Sequence, residues 1–226
     1  MKKFLLTAAL ACLCPIGSLT AASIVLTIAP NGGVNGGGEF QAVTSDNGNF
    51  LTFCLEDHEY FYPGHTYTYQ LSGAAIAGGP NHDSSTPGID IISQGTALLY
   101  SQFATGVLPN YFNANRTANA ANLQLAIWGL EDELSGADQE AAAGGLANPY
   151  VKLVVDTYGS WASAQANYSG SAVKVVNVYD LTGSDGLSGV NRQDQLIYVP
   201  DGGATIALLG MGLSGLALVP RRFRRC

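Results

Sequence analysis

The chain has 226 residues, a net charge of −7, 28 glycines and 12 % charged residues. With the two ends set aside, residues 23–198 hold four basic residues (Arg116, Lys152, Lys174, Arg192) against sixteen acidic ones, a net charge of −12. That excludes nucleic acid and anionic membrane surfaces as partners of the body, whose length fits one domain or a domain with a subdomain.

Residues 1–22 read as a signal peptide. Lys2 and Lys3 precede an apolar run from Phe4 to Leu13, and small residues lead to an exit after Ala22. The run is too short for a membrane anchor, and neither Cys12 nor Cys14 has the full surroundings of a lipoprotein cysteine. Ile24–Ala29 predicts a first strand and Asn31–Gly38 a glycine-rich hairpin connection, without the Lys-Ser/Thr of a phosphate loop. Glu39–Thr44 and Asn49–Leu55 follow as strands around an Asp46-Asn47-Gly48 turn. Tyr60–Gly64 is turn-like, and Tyr67, Tyr69 and Leu71 alternate with polar residues in another strand.

The period then changes. Ile91–Thr105 is expected to be helical, and Asn119–Leu134 more clearly so, with Leu123, Ile127, Leu130 and Leu134 on one face and Gly136 as its stop. Asn148-Pro149 opens a third helix, with Val151, Val154, Val155, Tyr158 and Trp161 as its stripe. Ala172–Leu181 and Gln195–Val199 return to strands. The order predicts a mainly-β fold with a helical insert, a β-sandwich or barrel carrying an α-helical subdomain.

At the far end, Val199-Pro200-Asp201-Gly202-Gly203 precedes an apolar run, Ala204–Val219, and the basic residues Arg221, Arg222, Arg224 and Arg225. Sixteen helical residues reach about 24 Å against a hydrocarbon core of about 30 Å, so tilt or thinning must help a single-pass helix across. The arginines hold that side in the cytoplasm, which leaves the body outside the inner membrane. Motif, apolar run and arginine cluster in this order resemble the PEP-CTERM class of sorting signals, in its VPDSG-CTERM variant, with Gly202 in place of the usual serine. The resemblance implies an exosortase-type membrane transpeptidase as partner, and a path from a membrane-anchored intermediate to the cell surface or extracellular matrix. An ordinary C-terminal anchor predicts the same location.

With both ends removed, Cys54 is the one cysteine of the body. Exported chains pair their cysteines or lack them, so a single one points to a reactive or intermolecular role, or to a buried inert thiol. Phe53-Cys54-Leu55-Glu56 and, 70 positions on, Leu123-Gln124-Leu125-Ala126-Ile127-Trp128 resemble the two motifs of bacterial surface thioester domains of the TQXA type. That resemblance implies a Cys54–Gln124 thioester open to an amine or hydroxyl on a target surface. No turnover enzyme and no cofactor are implied. Phe53, Tyr60, Phe61 and Trp128 are candidates for excluding water, and His58 or His65 for moving a proton.

Other constellations have bland readings. Glu56-Asp57-His58-Glu59 alternates sides on a strand, which speaks for a solvated edge rather than a metal site. Glu131-Asp132-Glu133 predicts an exposed acidic turn. A Cys–His hydrolase built from Cys54 with His58, His65 or His82 lacks a glycine-framed nucleophile. Two readings remain: a thioester domain attaching covalently to its target, or a non-covalent structural surface protein with a buried thiol.

Overall fold

The computed structural model describes residues 22–30, 32, 37–76, 89–180 and 190–200. The signal peptide up to Ala21, the motif residues Asp201, Gly202 and Gly203, the apolar run 204–219 and the arginines Arg221, Arg222, Arg224 and Arg225 lie outside these residues, as do His82 and Leu181.

Strand β1 (Ser23–Ile28) buries Ile24 and Leu26. It pairs antiparallel with β2 (Phe40–Thr44), Ile28 facing Phe40, so the glycine-rich segment closes a hairpin as expected. Gly48, at φ 71°, completes the turn into β3 (Asn49–Thr52), and the Thr44 N–H donates to its carbonyl. β4 (Thr66–Ser72) lies on the other side of β1, followed by β7 (Val173–Tyr179) and β8 (Asn191–Tyr198). The resulting six-stranded sheet has the order β3-β2-β1-β4-β7-β8, antiparallel throughout. β5 (Ala74–Ile76) and β6 (Ile89–Ile91) form a separate small pair that the sequence did not announce.

Among the described residues every helix falls between β6 and β7: α1 (Gln94–Ala104), α2 (Arg116–Leu130), α3 (Gln139–Ala142), a 3-10 turn (Gly145–Ala147), α4 (Pro149–Tyr158) and α5 (Trp161–Ala164). The helical insert is therefore present, but among the described residues the strands form one open six-stranded sheet and a small pair, not a sandwich or a closed barrel. One face of the sheet packs on the helices through Phe53, Leu55, Val173, Val175 and Leu196. The opposite face gathers Ile24, Leu26, Tyr67, Tyr69, Val176, Val178 and Ile197 into a second cluster without helical residues. Ala22, Phe50, Phe61, Leu71 and Val199 pack against that cluster. The sheet stops short of closure because β3 leaves the ladder after Thr52, and the segment beyond it meets β8 through the isolated bridge Cys54–Gln195.

Helix ends depart from the expected ones for identifiable reasons. α2 stops at Leu130 rather than Leu134, because Asp132 adopts φ 58°. The Glu133 N–H then bonds the Trp128 carbonyl and the Asp132 N–H that of Gly129, a Schellman ending with aspartate where glycine is usual. Gly136 lies beyond it. α1 begins at Gln94, since Ser93 caps it by accepting from the Thr96 N–H. α4 starts at Pro149 as expected, with Asn148 accepting from Tyr150 N–H, but left-handed Gly159 ends it. Trp161 thus belongs to a new short helix capped by Ser160, though it reaches the same core. No helix among the described residues is long and apolar enough to cross a membrane.

Candidate functional site: a carboxamide clamped on a buried cysteine

Residues 53–55 run extended beside β8, with the Leu55 N–H donating to Asp194 O (3.0 Å) and the Leu196 N–H to Phe53 O (3.3 Å). Successive side chains of an extended segment point to opposite sides. Phe53 and Leu55 enter the helical core, whereas Cys54 joins Phe40 and Trp128 in a small cluster of its own. Cys54 is wholly buried. Gln195, across the bridge, donates from Nε2 to its Sγ at 3.5 Å. Burial drives the thiol far above its ordinary range, with the nearby Glu56 and Asp57 carboxylates adding to that effect, so the sulfur rests protonated.

Gln124 and Trp128 stand four residues apart on α2, hence on one face. That face is turned to the cysteine. Gln124 Nε2 donates to the Cys54 carbonyl at 2.8 Å. Its Oε1 accepts from the Cys54 N–H at 3.2 Å and from the Gly38 N–H at 3.0 Å. The carboxamide thus pairs with the Cys54 backbone as a neighbouring strand would, where the curled sheet offers none. Two peptide N–H groups converge on one side-chain carbonyl oxygen, the arrangement that stabilises negative charge on such an atom.

The glycine-rich connection takes part as well. A Cβ on Gly37 would lie 2.4 Å from Trp128 Cη2 and 2.6 Å from Gln124 Cγ, so only glycine lets the backbone approach this closely. Gly38, at φ 114°, aims its N–H at Gln124. The adjoining Glu39 is anchored to the start of α2: Arg116 donates to both of its carboxylate oxygens, at 3.0 and 2.8 Å, and the Tyr111 hydroxyl donates to one of them at 2.7 Å. This bidentate pair fixes β2 against the helix that carries Gln124.

The aromatic shield differs from the expected one. Phe61 and Trp128 pack around Cys54, and Phe40, which meets Phe61 edge-on at 4.9 Å, joins them. Phe53 faces the opposite side against Phe103 and Tyr111, and Tyr60 is 69 % exposed. His58 and His65 are both exposed, and the His65 ring lies by Tyr62 and Tyr67, which leaves it no role at the sulfur.

The acidic runs are not the solvated features expected. Glu56 is buried and accepts from the Asp194 N–H at 2.8 Å, while Asp194 accepts from the Ile76 and Val178 N–H groups and from Asn177. Glu131 accepts from the Ser93 N–H and Glu133 from the Asp57 N–H, so both tie loops to the end of α2. Burial pushes the carboxyls of Asp194, Glu131 and Glu133 up to about 7. Among the described residues no group of His, Cys, Asp and Glu could hold a metal ion.

Sequence reasoning named Cys54, Gln124, Phe61 and Trp128, which the fold brings together, and missed Gly37, Gly38, Phe40 and Gln195.

At the end of β8, Val199 is still tied to the sheet through its N–H to Ala172 O at 2.7 Å. From the preceding residue onward, residues 198–223 match the family profile described as the VPDSG-CTERM motif. No curated protein and no solved structure matches the chain. The tail is thus a VPDSG-CTERM sorting signal, which fits an exported protein handled by an exosortase-type processing enzyme by way of a membrane-anchored intermediate.

Proposed function

We propose that the body is a single-use covalent attachment domain, displayed outside the cell through its sorting tail and joined to its target by a Cys54–Gln124 thioester. The observation that carries the reading is the clamp on Gln124: its carbonyl oxygen is held by two N–H groups beside the Cys54 side chain. In the bond-forming step Cys54 Sγ attacks Gln124 Cδ, the C–S bond forms and the C–N bond breaks. The thiol proton goes to the departing nitrogen, and ammonia leaves. Charge that builds on Oε1 falls on the Gly38 and Cys54 N–H groups. Gln195 supports the sulfur as it loses its proton, and Phe40, Phe61 and Trp128 keep water from the product. Attack by an amine or hydroxyl then transfers Gln124 to the target and returns the thiol.

A second reading has its own support. Both side chains are buried, and the carboxamide fills a gap in backbone hydrogen bonding, which suffices for a structural protein with an inert thiol. Intact mass of the mature protein, before and after methylamine, separates them. The covalent reading expects a mass short by one ammonia, gain of one methylamine on treatment, and neither in Cys54→Ala. Full mass with a Cys54 that alkylates on unfolding refutes it.

A further inference from the structure

β8 ends at Tyr198, and the Val199 N–H is still held by Ala172 O. Only residues 200–203 then separate the sheet from the apolar run that begins at Ala204. Fully extended, the chain spans at most about 18 Å from Val199 to Ala204. The headgroup layer on each side of the hydrocarbon is about 5–8 Å deep. With the apolar run anchored, the end of β8 therefore stands no more than about 10–13 Å clear of the headgroups.

A hollow of about 460 Å³ opens beside this exit, lined by Phe50 and Leu51 of β3, by Phe103 and Thr105 at the end of α1, and by Phe112 and Tyr198, among others. Phe112 is 46 % exposed, and Val107, on the same connection between α1 and α2, is 66 % exposed. The Phe112 ring stacks on Phe103 at 5.8 Å, which holds it in place at the mouth. No charged residue among the described ones lines this hollow, although the body carries a net charge of −12. Two other hollows differ: one is bordered by Glu59 and Arg192, another by Asp90, Glu131 and Asp132.

The mouth discriminates among occupants. Arg116 lies over the Phe112 ring at 5.0 Å but is already paired with Glu39, so an anionic ligand finds no spare cation. A second copy of the chain brings the same negative charge and is repelled. Lipid is kept within reach by the tail itself, and aromatic and aliphatic side chains are the groups that settle at a membrane–water interface.

We infer that in the anchored intermediate this mouth rests in the headgroup layer of the bilayer, with Val107 and Phe112 immersed and the body standing on its exit end. The acidic body has no attraction for lipid charge. The contact is instead one of apolar side chains, made because a short tether keeps the effective concentration of the surface high. It leaves residues 199–203 close to the membrane plane, within reach of a membrane-embedded processing enzyme. The contact is independent of the thioester.

The test uses the mature chain with its tail, reconstituted into vesicles of phosphatidylcholine with or without brominated acyl chains. Phe112→Trp and Val107→Trp each place a reporter at the mouth, and both positions are exposed enough to accept the larger ring. Tyr60→Trp is the control. Tyr60 is 69 % exposed and borders a hollow shared with Asn191, the first residue of β8. That residue lies about 23 Å along the strand from Tyr198. Trp128 and Trp161 are buried and give the same background throughout. Blue-shifted emission quenched by bromide is expected at 107 and 112 and not at 60. Quenching at neither mouth position, or equally at all three, overturns the proposal. A blue shift without quenching puts another protein surface on the mouth and overturns it too. A chain that does not float with the vesicles has no anchored state, and the proposal falls with it.

Discussion

Gly37→Ala puts the close packing of the clamp to a direct test. The new methyl would stand 2.4 and 2.8 Å from two atoms of the Trp128 ring and 2.6 Å from Gln124 Cγ, distances that real methyl contacts do not show. Trp128 is buried among Phe40 and Cys54, so the ring cannot swing clear without disturbing them. Overpacking of this kind costs about 1–3 kcal/mol. For a domain of this size that lowers the melting temperature by roughly 2–12 °C. The backbone at Gly37 is not left-handed, so the strain is one of contact and not of conformation. Gly73→Ala is the matched control, since nothing lies within 4 Å of its would-be methyl and its φ is not positive either. Thermal unfolding followed by circular dichroism gives the stability difference. Fluorescence reports the site, because Trp128 and Trp161 are the protein's two tryptophans. Equal stability of the two variants, with unshifted tryptophan emission, would refute the claim that Gly37 is there to let the backbone reach Gln124.

Arg116→Met leaves the buried Glu39 carboxylate without its bidentate partner and should cost about 2–4 kcal/mol in urea denaturation. Asn148→Ala removes the cap on Tyr150 N–H together with two donations, to Asn122 O and Ala143 O, and should cost about 1–3 kcal/mol in the same assay. Stability should fall as pH rises from 5 to 8. Glu131, Glu133 and Asp194 have folded-state pKa values raised to about 7, so the native state holds protons the unfolded chain has lost. Their contribution is complete below the unfolded values near 4 and gone above the folded ones, about 3 kcal/mol for Glu131. Urea midpoints that do not move, or that rise, across this range contradict the reading. Glu131→Gln should flatten the slope.

The strands β1, β2, β4 and β7 were legible because their apolar residues alternate or cluster between clear turn signals. The hairpin pairing followed from glycine and Asp-Asn-Gly connections. β5 and β6 escaped notice because three-residue strands carry too little pattern, and β8 was recognised only in its last half. Its buried residues Gln193, Asp194 and Gln195 are polar, and periodicity scales read polar as exposed. The same blindness hid Glu56, Glu131 and Glu133, whose burial is tolerable because each accepts a backbone N–H. Of the site, the pairing of Cys54 with Gln124 was suggested by two short motifs. The groups that hold them lie far off in sequence, and no local signal ties Gly38 or Gln195 to either.

The single bridge between Cys54 and Gln195 joins positions 141 residues apart. Its partners come from the first third of the chain and from the last strand, with Gln124 supplied from the middle. The pocket therefore does not exist until β8 is in place. Cys54 is therefore an ordinary thiol in any chain that has not yet placed the residues just ahead of the sorting motif. Long-range pairing of this kind forms late and slowly. The same strand that completes the pocket leads directly into the signal for processing, so a chain cut short of that signal's approach would also lack the wall behind its cysteine.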